Sequence, residues 1–214
     1  KDIFIKKYFF FKLKNKKKKY NNKMSEIQSL LLRSGKNIIT INVIPKEKDI
    51  FKIFYECNLV EGDMIETLNK KTIYNGYKSL WSGNLKKING GEVYIITLTH
   101  DNIINIEGEM LDVTQEVKLD NYLPYYYKKD MNINEVLKDY EFTEGDKIID
   151  EENNITVYDF QNKKWLSSSL NSFKKNKGYI IKLKNPITIK YEKLVEKISD
   201  KFNLLDMKSD IKSI

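Results

Sequence analysis

A chain of 214 residues with 41% hydrophobic and 12% aromatic residues can bury a core, which excludes wholesale disorder. Its formal charge of +8 is concentrated: residues 1–36 hold 12 Lys+Arg against 2 Asp+Glu, while the other 178 residues hold 26 against 28. One cysteine, Cys57, and one histidine, His100, exclude an internal disulfide and a zinc site made of this chain's own thiols and imidazoles.

Residues 1–23 read KDIFIKKYFFFKLKNKKKKYNNK. The cluster Lys16, Lys17, Lys18 and Lys19 suits a nucleic acid or an anionic surface. Two other readings stand beside it. The segment can be an organelle leader, or, because FFFKLKN at 9–15 resembles YIIKLKN at 179–185, the last strand of a preceding repeat. The first residue is Lys1, not Met, so a processed product or a piece of a longer protein is expected. No run approaches eighteen apolar residues, and no transmembrane segment is expected.

Residues 24–35 have the spacing of a short helix. Ser25 and Gln28 match a capping box, Ile27, Leu30 and Leu31 fall on one helical face, and Gly35 can end it. Residues 37–44 then read as a strand ended by Pro45. Asp49 caps a helix with Ile50, Ile53, Phe54 and Cys57 on one face.

From Val60 the chain is written twice. VEGDMIETLNKKTIYNGYKSLWSGNLKKINGGEVYIITL returns from Thr143 as TEGDKIIDEENNITVYDFQNKKWLSSSLNSFKKNKGYIIKL. Gly62-Asp63 answers Gly145-Asp146, Tyr74 answers Tyr158, and Trp81 answers Trp165, with the offset growing from 83 to 85. Each copy predicts a helix, a Gly-Asp turn, a strand, a hairpin turn, a strand through the Tyr, a Trp-bearing segment, and a closing strand at 93–99 or 179–183. Residues 103–106 and 187–191 alternate weakly and are expected to pair beside those closing strands. The second copy begins at residues 113–123 and repeats the helix, with Asn132 as cap and Ile133, Val136, Leu137 and Tyr140 as its face. Residues 191–214 place Tyr191, Leu194, Val195, Ile198, Phe202 and Leu205 on one stripe of an amphipathic helix.

The fold expected is therefore α+β: two tandem homologous units, each a small, mostly antiparallel sheet with one short helix, plus a C-terminal amphipathic helix. The divisions are 1–35 (basic arm or repeat end, with a short helix), 36–111 (first unit), 112–190 (second unit) and 191–214.

Little here has the form of a catalyst. Paired Asp63 and Asp146 invite an acid–base reading, but a duplication sets one Asp in each unit, and Gly-Asp between helix and strand is ordinarily a turn. His100 has no counterpart in the second copy, and Cys57 takes the slot of Tyr140, a core position. Trp81 and Trp165 read as core because they recur in register. The run Tyr125, Tyr126 and Tyr127, absent from the first copy, reads as an interaction surface. No catalytic, cofactor-binding or metal-binding residue is expected.

Gly62-Asp63-Met64-Ile65, Trp81-Ser82-Gly83-Asn84-Leu85 and Tyr94-Ile95-Ile96, with Gly145-Asp146-Lys147-Ile148, Trp165, Leu170 and Gly178-Tyr179-Ile180-Ile181-Lys182, resemble a tandem module of secreted and surface proteins of bacteria. That module runs about 80 residues, with G-D-x-I, W-x-G-x-L and G-Y-x-I-K marks. The resemblance covers roughly residues 36–190. It implies a non-catalytic scaffold or adhesion repeat with protein partners, at the cell surface or secreted. The alternative is an RNA- or organelle-associated accessory protein that uses the basic arm, organellar if residues 1–23 are a leader.

Overall fold

The structure, a computed structural model, describes residues 25–112 and 116–191. In chain order the first half holds β1 (Ser25–Leu32), β2 (Gly35–Thr40), β3 (Val43–Pro45), helix α1 (Ile50–Ile53), β4 (Met64–Glu66), β5 (Lys71–Asn75), β6 (Leu80–Gly83), β7 (Val93–Leu98) and β8 (Asn102–Met110). The second half holds β9 (Glu116–Leu119), β10 (Tyr122–Pro124), β11 (Met131–Asn132), helix α2 (Ile133–Val136), β12 (Lys147–Ile149), β13 (Ile155–Asp159), β14 (Lys164–Leu166), β15 (Ser172–Phe173), β16 (Gly178–Lys182) and β17 (Ile187–Lys190).

This is mostly β structure, and it overturns the expected α+β class. Among the described residues the helices are two single turns of four residues each. Both begin as predicted: the Asp49 side chain accepts from Phe51 N and Lys52 N, and Asn132 accepts from Asn134 N. They stop after one turn at Phe54 and Leu137, whose φ of −100° and −104° with ψ of 12° and 7° leave helical geometry, and both side chains are buried in the core. The amphipathic helix expected over 191–214 falls, apart from Tyr191, outside the described residues. So does the arm over residues 1–23.

Residues 24–35 are not a helix either. Along β1 burial alternates, with Gln28, Leu30 and Leu32 inside and Ile27 and Leu31 exposed at 64% and 49%. The helical spacing of residues 27, 30 and 31 arises from apolar residues on both faces of an extended chain. The long partner β8 decides the outcome: it pairs antiparallel from Ser25↔Glu109 to Leu32↔Asn102 and satisfies the backbone groups along one edge of the whole strand. A short helix standing alone is marginal by comparison. The strand expected at 37–44 breaks in two, so that β2 joins β7 and β3 joins β8. Residues 103–106 and 187–191 also differ from expectation. They pair with β1 and with β9, in separate small sheets, and not with the closing strands β7 and β16.

Two five-stranded sheets remain, with orders β2-β7-β4-β5-β6 and β10-β16-β12-β13-β14. Their registers correspond. Ile65↔Ile96 answers Ile148↔Ile181, Tyr74↔Trp81 answers Tyr158↔Trp165, and Ile39↔Tyr94 answers Leu123↔Tyr179. Even the bridge Asp49↔Lys87 has its counterpart in Asn132↔Ser172. Trp81 and Trp165 are 7% and 4% exposed, each at the centre of its own core. Trp81 meets Phe54 and Tyr74 edge-on at 5.6 and 5.4 Å, and Trp165 meets Phe142 and Tyr158 at 4.7 and 5.3 Å.

Candidate functional site

The twice-written Gly-Asp is the first place to look for chemistry. Gly62 and Gly145 have φ of 94° and 83°, which glycine alone adopts without strain. The turn carries the next side chain inward, and Asp63 and Asp146 are each 2% exposed. Asp63 accepts from Val60 N at 2.9 Å, Thr99 N at 2.8 Å and Thr99 Oγ1 at 2.9 Å. Asp146 accepts from Thr143 N and Lys184 N, both at 2.8 Å. The preceding acids close the next turn: Glu61 accepts from Gly76 N and Glu144 from Phe160 N. Four carboxylates thus tie backbone to backbone, and the two aspartates sit in different sheets. No group of three or more His, Cys, Asp or Glu side chains positioned for a metal occurs among the described residues.

The tyrosine run is inside the molecule, which corrects its reading as a surface. Tyr125 and Tyr126 are 0% and 8% exposed and Tyr127 is half-buried. Tyr125 packs on Tyr127 and Phe173, and Tyr126 and Tyr127 both pack on Tyr191. Three of these hydroxyls are bonded internally. The Tyr125 hydroxyl donates to Lys129 O at 2.6 Å, that of Tyr126 to Gly91 O at 2.8 Å, and that of Tyr191 to Pro124 O. Burial pushes the Tyr126 hydroxyl up to about 12, with the Glu92 charge adding to it. Lys16, Lys17, Lys18 and Lys19 lie outside the described residues. Cys57 is half-buried, and burial, then the Glu56 charge, pushes its thiol up to about 11.

What sequence reasoning missed is the seam between the two sheets. Ile38, Val93 and Ile95 form a small apolar cluster with Tyr122 and Ile180. By register Tyr122 stands where Ile38 does, Ile180 where Ile95 does, and Gly178 where Val93 does. The same face of each sheet therefore meets the other, β2 against β16 and β10 against β7. A Cβ on Gly178 would come within 2.7 Å of Val93 Cγ1, so the glycine is what lets the sheets close. The signal available in sequence was Gly178 itself, in place of a β-branched residue.

The two flanks of the seam differ. On one, Thr40 N donates to Asn176 O at 3.1 Å, and the Thr40 hydroxyl donates to Lys177 O at 2.9 Å and accepts from Tyr125 N at 3.1 Å. Buried Gln28 donates to Thr40 O at 2.8 Å and to Asn176 Oδ1 at 3.2 Å. Glu151 completes the closure: it accepts from Ile38 N at 3.0 Å and pairs with Lys177. On the other flank Leu68 stands in the place of Glu151, Glu92 in that of Lys177, and Pro124 in that of Thr40. Proline has no N–H, so the bond from Thr40 N has no counterpart there. That flank is an open cleft of about 560 Å³, lined by Leu68, Lys70, Lys87, Glu92, Lys118 and Tyr122 among others.

Comparison with family models, with curated proteins and with solved structures finds no match.

Proposed function

We propose that this chain is a non-catalytic interaction or scaffold module built from two copies of one unit, over residues 36–111 and 112–190, and that it belongs to a larger protein or assembly. The observation that carries the reading is the fate of the repeated carboxylates. Asp63 and Asp146, the best candidates for acid–base work, are both consumed by the same backbone turn. The equivalent sheet orders and registers support the two-copy reading. The resemblance to repeat modules of bacterial surface proteins points the same way. Partners are expected to be proteins.

A second reading is an RNA- or organelle-associated accessory protein, and one observation favours it: the net positive charge lies in residues 1–36, with Lys16, Lys17, Lys18 and Lys19 in a row. One experiment separates the two. Affinity capture with the whole chain is run beside capture with residues 1–23 deleted, each at roughly 50 and 300 mM salt. A protein partner kept without the arm and at the higher salt supports the module. Capture of RNA alone, lost on deleting the arm and falling steeply with salt, transfers the function to the second reading.

A further inference from the structure

We infer that the open flank of the seam binds a short, extended acidic peptide segment of a partner protein, its carboxylates held by Lys70, Lys87 and Lys118 and an aliphatic side chain seated on the apolar floor. This names a partner class for the interaction module proposed above and rests on that reading.

Three observations lead there. The first is charge. The cleft carries Lys70, Lys86, Lys87 and Lys118 against Glu92 and Asp120, although the chain beyond residue 36 is slightly acidic. Both acids are already engaged, Glu92 by the Tyr94 hydroxyl at 2.7 Å and by Asn89 Nδ2 at 3.2 Å, and Asp120 by Asn121 Nδ2 at 3.0 Å. Lys86 donates to Trp81 O at 3.3 Å. Lys70, Lys87 and Lys118 make no ion pair among the described residues, whereas Lys46, Lys52, Lys128, Lys174 and Lys177 each have one. Three exposed ammonium groups around one concavity are a ready field for an anion.

The second is the matching flank. There the corresponding slot already receives an acidic side chain from a peptide turn: Glu151 sits between the Lys177 ammonium and Ile38 N. In the open cleft the residue at that position is Leu68, 47% exposed, which supplies no carboxylate. Glu92 stands here where Lys177 does there, so an incoming acid is held on this flank by Lys70, Lys87 and Lys118 and not by a counterpart of the Lys177 ammonium.

The third is the lining. Leu68, Leu85, Val93, Val117 and Pro124 give the cleft an apolar floor suited to an aliphatic side chain. Nucleic acid fits less well, because stacking needs an open aromatic face, and the one ring present, Tyr122, packs against Ile38, Val93 and Ile95. A cleft of about 560 Å³ is in the range of small-ligand sites and holds a peptide of roughly four to six residues.

The test is fluorescence anisotropy on the whole chain with a labelled Glu-rich peptide of that length carrying one central Leu. A uridine oligomer and a sulfated oligosaccharide serve as competing probes. Saturable binding is expected, weakened roughly tenfold or more by Lys87→Glu with Lys118→Glu and unchanged by Lys78→Glu, a turn lysine outside the cleft. Leu68→Glu, which places an acid of the chain's own in the slot, is expected to abolish binding. All four positions are exposed, so thermal unfolding like the parent's is expected and confirms that each variant folds. Absence of saturable binding overturns the proposal, as does binding indifferent to the cleft variants, or tighter cleft-dependent binding of either competing probe. Mass spectrometry of the recovered peptide keeps the two readings apart. An altered peptide sinks the non-catalytic module, while an intact peptide bound without regard to the cleft residues sinks the cleft alone.

Discussion

Asp63 works as a clamp on three chain segments at once: the turn at Val60, the strand it begins, and Thr99 just beyond β7. Hydrogen bonds to a charged acceptor contribute about 1.5–3 kcal/mol each in context, and removal leaves three part-buried donors without this partner. Asp63→Ala is therefore expected to lower unfolding free energy by about 2–4 kcal/mol in urea titration. A loss under about 0.5 kcal/mol would mean that the turn stands without it. Cys57 tests burial in another way. With the thiol pushed up to about 11, its thiolate fraction at pH 8 is on the order of a thousandth. Reaction with a disulfide reagent is expected to be slow in the native protein, to accelerate as pH rises toward 11, and to become fast at pH 8 once urea unfolds the chain. Fast native reaction at pH 8 would show that the thiol is more open than its half-buried position indicates.

At the level of elements, the two aromatic cages are the same object assembled from different parts. Counting at the offset of 83, Phe54 corresponds to Leu137 and Leu59 to Phe142, so the large and small residues have changed places. Either way one phenyl ring meets the tryptophan edge-on. Phe54→Leu alone is expected to leave a void costing about 1–2 kcal/mol, and Leu59→Phe alone to overpack by about 1–3 kcal/mol. Together they recreate the second unit's arrangement, and a double-mutant cycle by thermal unfolding is expected to show them recovering at least about 1 kcal/mol of the summed cost. Strictly additive losses would show that the two cages are not interchangeable. The cages were foreseeable, since tryptophans and tyrosines repeating in register read as core. So were the cap at Asp49 and the Gly-Asp turns, which depend on local chemistry. β1 was not, because residues 27, 30 and 31 fit either period and the arbiter is β8, some seventy residues on. Tyr125, Tyr126 and Tyr127 defeated pattern reading for a related reason: three identical residues in a row have no period, so nothing local says which face is inside. The seam was invisible because Ile38 and Ile95 look like ordinary strand residues until their partner sheet is known.

For the whole molecule, the equivalence of the meeting faces matters most. Like faces that meet each other close on themselves, as in a two-fold dimer, whereas head-to-tail contacts leave a face open for the next copy. The two five-stranded sheets here pack the Ile38 and Tyr122 faces against each other, leaving one flank open. Tyr126 reports on this closure because its hydroxyl crosses from the second unit to Gly91 of the first. Burial raises it from an ordinary 10.0 to about 12, and burial also raises Tyr94, Tyr125, Tyr179 and Tyr191. Ionisation charges a phenol, so above pH 10 the unfolded chain has released protons that the native chain still holds. Stability from these groups is then complete below pH 10 and is lost as pH climbs through 10 toward 12 and beyond. Tyr126→Phe removes one such group together with one hydrogen bond between units. At pH 7 it is expected to be less stable than the parent by about 1 kcal/mol, since the bond is gone and Gly91 O is left without that donor. Between pH 10 and 12 its stability is expected to fall less steeply, because one proton fewer is at stake. Urea midpoints followed across that range, with tyrosinate absorbance read alongside, are expected to converge for the two proteins. Parallel curves would mean that Tyr126 already ionises in the folded state, and that the seam around Gly91 admits water.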